Sequence, residues 1–183
     1  MKVYLAGPEV FLPNAFAIFQ EKKTICAKLG VVGAAPFDNE LELSPHTPPH
    51  QAAEIIYQEN IDLIQQCDAV VANITPFRGP HMDPGTAFEI GYAVAQGKPL
   101  ACYTQEGRIL VNRIAMHPDL TSHVPQDQDG YFIENFDLNE NLMIKISLNN
   151  QGRKLVVHHL PLSERFVNIA GFEGALKQLL KTT

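Results

Sequence analysis

Residues 68–104, "DAVVANITPFRGPHMDPGTAFEIGYAVAQGKPLACYT", decide the fold. The first seven hold an uninterrupted apolar core, as strands covered on both faces do. A loop punctuated by Pro76, Gly79, Pro80 and Pro84 follows. From there to about Gln96 the residues read as a helix, closed by Gly97. "KPLACYT" is a second buried strand. Strand, helix and strand at this spacing make a parallel crossover unit.

Working outward, the same alternation continues on both sides. "KVYLAG" at 2–7 is a strand, and 13–29 is a helix with Pro13 and Asn14 as start signals. Its apolar positions Phe16, Phe19, Ile25, Cys26 and Leu29 recur at helical spacing. "VVGAAP" is another strand. A Pro-rich loop leads to a helix over roughly 50–66, with Ile55, Ile56, Ile61 and Ile64 on one side. Beyond Thr104 the pattern weakens, and about 105–130 reads as an irregular excursion. "NENLMIKIS" suggests a helix, "KLVVHHL" a fifth strand and "FEGALKQLLK" a last helix. The expectation is one α/β domain over 1–183. It is a doubly wound, flavodoxin-like, five-stranded parallel sheet with helices on both faces.

Composition narrows the partners. The chain has 183 residues, 45 % hydrophobic and 19 % charged, enough to bury a real core. No apolar run approaches the roughly 18 residues of a membrane span. "MKVYLAGPEVF" is a poor secretory signal, so a cytoplasmic location is expected. The net charge of −6, with no lysine and arginine cluster, argues against a nucleic-acid polymer and leaves neutral small molecules open. Cys26, Cys67 and Cys102 lie far apart and read as buried thiols. His46 and His50 flank a Pro-rich turn where no helix aligns them, so no metal site is expected.

In such sheets ligands bind beyond the carboxyl ends of the strands. Three suggestive segments fall there: "AGPEVF", "PFDNE" and "PFRGPHMDPGTAFE". The last carries Glu89, the only charge in 87–95, and Asp83 six positions earlier across a Pro-Gly turn. "TAFE" also matches a capping box, with Thr86 as the cap and Glu89 folding back on it. An all-round apolar helix is a buried one, however, and burying a carboxylate costs several kcal/mol unless it is paired or has its pKa raised. The turn folds Asp83 back towards Glu89. Two carboxylates meeting in a partly dry cleft separate in pKa, giving one nucleophile and one proton donor. Glycosyl transfer with retention needs that pair. The positive helix end favours an ionised Glu89, and Asp83, nearer bulk solvent, would exchange protons with a leaving base. Arg78 reads either as a loop brace paired with a carboxylate or as a substrate contact.

Four stretches, "VYLAGPEVF", "FDNE" at 37–40, "CDAVVANITPFRGPHMDPGTAFEIGYA" at 67–93 and "ENFDLNENLMI" at 134–144, resemble the nucleoside 2-deoxyribosyltransferase family. The resemblance implies exchange of the base on a 2-deoxyribonucleoside without a cofactor. Its partners would be small deoxynucleosides and free nucleobases. Glu89 would be the nucleophile that forms a covalent deoxyribosyl ester, and Asp83 the acid/base. Asp68 would contact the reacting base, and the Tyr4 hydroxyl would orient the nucleophile. Phe11 would stack on the base, with Gly7, Asp38 and Glu40 lining the substrate site. Asn141 would reach the sugar from a neighbouring subunit, making the protein a homo-oligomer. Two rivals remain. One is a hydrolase cleaving 2-deoxynucleoside 5′-monophosphates, disfavoured because "GPEVFLPN" lacks Ser and Arg and places Glu9 where it would repel phosphate. The other is a non-catalytic nucleotide-sensing module, which has no use for paired carboxylates.

Overall fold

The computed structural model describes residues 1–38, 44, 46–114 and 125–181. Five parallel strands form one sheet: β1 (Lys2–Ala6), β2 (Val32–Ala34), β3 (Ala69–Asn73), β4 (Leu100–Thr104) and β5 (Val156–Val157). Their order is β2-β1-β3-β4-β5, with Val3 opposite both Gly33 and Ala69 and Val70 opposite Leu100. This is the flavodoxin-like order that the alternation predicts. Every residue of β3 and β4 is buried, as their uninterrupted apolar runs require.

Helices cover both faces. α1 (Ala15–Lys28) and α6 (Ala170–Lys181) bury Phe19, Phe172 and Leu176 against one face. α2 (Pro49–Gln66), α3 (Pro84–Ala95) and α5 (Leu142–Asn150) enclose Tyr4, Ile64, Ile90 and Leu148 on the other. A short α4 (Val111–Ile114) lies in the excursion, and the fifth strand, at the sheet edge beside β4, is two residues long. α3 ends where Gly97 adopts φ +70°. That lets the Gly97 and Lys98 amides close on the Val94 and Ala93 carbonyls, the bond pattern of a glycine-terminated helix.

α3 departs from the expected all-round burial. Thr86, Ile90 and Ala93 face the core, whereas Phe88 is 52 % exposed. No helix among the described residues is long and apolar enough to cross a membrane.

The loop after β1 and the loop after β3 leave adjacent strands and run to opposite sides. The crevice between them is where such a sheet admits a ligand.

Candidate active site

The site starts from a strand residue and a helix cap. Tyr4 lies mid-way along β1, fully buried, and its hydroxyl donates to Glu89 Oε1 at 2.5 Å. α3 begins at Pro84, and its cap is Asp83, whose Oδ2 accepts from the Thr86 amide at 2.8 Å and the Thr86 hydroxyl at 3.1 Å. The capping role of "TAFE" therefore falls to Asp83 and Thr86, and Glu89 is left free of the helix end. Asp83 is only 7 % exposed, which corrects the expectation that it sits nearer bulk solvent: capping draws it down onto the helix.

Burial pushes the Glu89 carboxyl up from its usual 4.5 to about 7; the Tyr4 hydrogen bond opposes that rise and the Asp83 charge adds to it. The helix end does not hold Glu89 ionised, because it lies beyond the first turn and the Thr86 amide is already taken by Asp83. The Tyr4 hydroxyl is itself raised, first by burial and then by the Glu89 charge, so it stays a proton donor.

Both carboxylates open onto one cleft of about 320 Å³, walled by Gly7, Phe11, Phe37, Asn60 and Thr86. A wider cavity of about 600 Å³ adjoins it across Phe11, Asp83 and Gly85. Phe11 and Phe77 stack with centroids 5.5 Å apart and planes 12° from parallel. The Arg78 guanidinium lies 4.8 Å and 4.7 Å from their ring centres. Phe11 is 53 % exposed, so this aromatic platform can take a flat ring beside the two acids. Arg78 is held by rings and has no carboxylate partner among the described residues.

Gly7 is a packing requirement. A Cβ there would collide with the Glu9 carboxylate and come within 2.9 Å of Asn73 Cβ. Glu9 is 1 % exposed and turns inward, where its Oε1 accepts from Lys22 Nζ at 2.6 Å, Asn73 Nδ2 at 2.7 Å and the Tyr103 hydroxyl at 2.9 Å. A carboxylate neutralised in the core does not repel a phosphate at the loop, so that objection to the hydrolase loses its basis. The network was missed because Glu9 and Lys22 each look like surface residues; only the fold brings Lys22 under the loop. Asn60, on α2, was also missed, and its Oδ1 is buried with no partner among the described residues.

Asp68, Asp38 and Asn141 do not line the cleft. Asp68 precedes β3, at the opposite end of the strands from the cleft. It is exposed and accepts from the Lys2 amide at 2.7 Å, which ties the starts of β1 and β3 together. Asp38 is held by Lys23 and by the Ala35 amide at 2.7 Å, so it braces the loop after β2 while Pro36 and Phe37 line the cleft. Glu40 lies outside the described residues. Asn141 caps α5: its Oδ1 accepts from the Met143 amide at 3.0 Å and its Nδ2 donates to Glu134 at 2.7 Å. Among the described residues no cluster of His, Cys, Asp and Glu has the makings of a metal site.

The family profile for nucleoside 2-deoxyribosyltransferase matches residues 3–143. An uncharacterized protein of Schizosaccharomyces pombe is 38 % identical over 155 residues, spanning 77 % of this chain and 74 % of that protein. The structure of a 2-desoxiribosyltransferase from Leishmania mexicana superposes with a TM-score of 0.65 at 32 % identity, covering 92 % of this chain and 95 % of the other. A shorter likeness, 39 % over 59 residues, links 31 % of the chain to 33 % of the 5-hydroxymethyl-dUMP N-hydrolase of Rattus norvegicus.

Proposed function

From the premise that the chain belongs to the nucleoside 2-deoxyribosyltransferase family, we propose that it exchanges the base of a 2-deoxyribonucleoside by double displacement. The observation that carries the reading is the Tyr4–Glu89–Asp83 arrangement beside an aromatic platform. Tyr4 holds Glu89 Oε1, which leaves Oε2 to attack the anomeric carbon. The glycosidic C–N bond breaks, and the base departs with its electron pair and takes a proton from the Asp83 carboxyl. A deoxyribosyl ester on Glu89 results. In the second half the incoming base loses its N–H proton to Asp83 and attacks the anomeric carbon, expelling the Glu89 carboxylate. In the reacting form one proton is shared between the two carboxyls. A 2-deoxy sugar lacks the electron-withdrawing hydroxyl beside the anomeric carbon, so positive charge develops there readily and carboxylates suffice.

The covalent ester must meet a base before water, which calls for a roofed cleft. α3 and α5 pack together and leave Phe88, Met143 and Ile146 exposed. In the proposed homo-oligomer a second copy covers them and brings its Asn141 to the sugar. Mixed oligomers of Glu89→Gln and Asn141→Ala chains would then recover exchange that neither variant shows alone, and failure to recover it removes the shared site.

The decisive experiment incubates the protein with a deoxynucleoside, and in parallel with its 5′-monophosphate, each with a different free base, and separates the products by chromatography. A new deoxynucleoside is the expected result. Free base and deoxyribose alone would instead support the hydrolase, a reading kept alive by the inward-turned Glu9 and the partial likeness to an N-hydrolase. No change at all would support the sensing module.

A further inference from the structure

Behind the aromatic platform lies a third cavity, of about 330 Å³, that the exchange reaction does not use. Four arginines line it, Arg78, Arg108, Arg113 and Arg165, together with Phe77, Leu162 and Phe166. Two buried carboxylates answer them. Glu106, fully buried, accepts from Arg108 through Nε at 3.1 Å and Nη2 at 2.8 Å, and pairs with Arg165 Nη2 at 2.7 Å. Glu140 pairs with Arg113 Nη2 at 3.0 Å. His159 Nδ1 accepts from the Gly107 amide at 3.1 Å and lies 3.3 Å from Glu106 Oε1. Four positive charges against two negative leave an excess of two, in a chain whose net charge is −6.

The unspent donors point the same way. Arg113 donates through Nε, Nη1 and Nη2 to Pro80, Arg108 and Glu140 and lends only its field. Among the described residues, Nη1 of Arg108, Nη1 of Arg165 and the whole Arg78 guanidinium have no hydrogen-bond acceptor. Glu106 fixes Arg108 and Arg165 in place, a pre-arranged fork of the kind that binds an oxyanion. Arg78 sits at φ +55°, a conformation rare for a residue with a side chain, and it faces both this cavity and the platform cavity.

We propose that this arginine-lined cavity binds an organic phosphate. Its phosphoryl oxygens lie on Arg78, Arg108 and Arg165, and its apolar body lies against Phe77, Leu162 and Phe166. A dianionic phosphoryl group matches the uncompensated charge, and the aromatic wall accounts for a space larger than one phosphate needs. Because Arg78 also stacks on Phe11 and Phe77, an occupant that draws on its guanidinium alters the platform of the neighbouring cleft.

Calorimetric titration of the full chain with phenyl phosphate tests this without reference to turnover, so it stands apart from the fate of the transferase reading. Saturable binding is expected, weaker for inorganic phosphate, absent for phenol, and declining as salt is raised. Arg78→Ala and Arg165→Gln should each weaken it by about tenfold or more. Arg165→Lys, which keeps the charge beside Glu106, should retain most of it and shows that the fold survives. Competition distinguishes two sources of the phosphate. If it belongs to the substrate, a deoxynucleoside 5′-monophosphate displaces phenyl phosphate, and Arg165→Gln weakens the monophosphate but not the deoxynucleoside. If it belongs to a separate ligand, phenyl phosphate binds unchanged when deoxynucleoside saturates the cleft. Either supports the site. Absence of saturable binding, or equal binding by all three variants and the parent, overturns it.

Discussion

Two tyrosine–glutamate pairs stand on opposite faces of the same sheet. Tyr4 on β1 donates to Glu89 at 2.5 Å, and Tyr103 on β4 donates to Glu9 at 2.9 Å. Both tyrosines are buried, and both hydroxyls are pushed up by burial and the adjacent carboxylate. The difference lies in the third partner. Glu9 has the Lys22 ammonium at 2.6 Å, itself held over the rings of Phe19 and Phe172 at 4.9 Å and 5.4 Å, and no opening to solvent. Among the described residues Glu89 has no cation partner; its neighbours are Asp83 and a cleft. A carboxylate matched with a cation is finished as chemistry and serves the fold. One left with a hydroxyl and a second acid is costly to keep and available to react.

The largest expected effect is on Glu89. Glu89→Gln should lower base exchange by on the order of 10⁴-fold or more, measured by chromatography, since it removes the proposed nucleophile. Its effect on stability should have the opposite sign. The folded value near 7 lies above the unfolded 4.5. Between these values the native state holds more protons than the unfolded one, so stability is full below pH 4.5 and falls as pH rises through 7. At pH 8 the variant should therefore be more stable than the parent, by up to about 3 kcal/mol in denaturant unfolding. Lys22→Met should do the reverse on the other face, costing about 3–5 kcal/mol because it strands the Glu9 charge. Equal destabilisation by both substitutions would erase the distinction between the two faces.

Much of this was legible in the chain, for identifiable reasons. β3 and β4 announce themselves because a doubly covered strand has no polar side to confuse the pattern. Glu89 and Asp83 were legible because a lone charge in an apolar run and a Pro-Gly turn are local signals. Asp68 and Asp38 misled for the converse reason: carboxylates beside strand ends look alike from sequence, and only the register and the position of Lys23 show which face backbone amides and cations. The Glu9–Lys22–Asn73–Tyr103 network and the arginine cavity join residues separated by up to 94 and 90 positions, beyond the reach of any periodicity.

Asp83→Asn comes next in size. It should slow exchange by roughly 10²–10⁴-fold, the usual worth of a general acid/base. Asn caps a helix about as well as Asp, so thermal unfolding should shift little. Removing the neighbouring charge should also lower the ionisation range of Glu89, read by infrared or NMR titration of the free protein, because the Asp83 charge is one of the causes that raise it.

Tyr4→Phe should have the smallest effect and the most telling sign. The hydroxyl pulls the Glu89 pKa down against burial, so its loss should carry the acid limb of kcat/KM to higher pH, opposite in direction to the Glu89 shift in Asp83→Asn. Well above the limb the rate should fall only about tenfold, the cost of one charge-assisted hydrogen bond to the nucleophile. Tyr103→Phe removes the same group from the sealed pair and should leave the pH profile where it was, since the Glu9 carboxylate keeps Lys22 and Asn73 and does not face the cleft. A pH–rate profile of the two variants side by side separates a tyrosine that tunes a reacting acid from one that only packs. If both shift the limb alike, or neither does, the Tyr4 hydroxyl is not what sets the ionisation of Glu89.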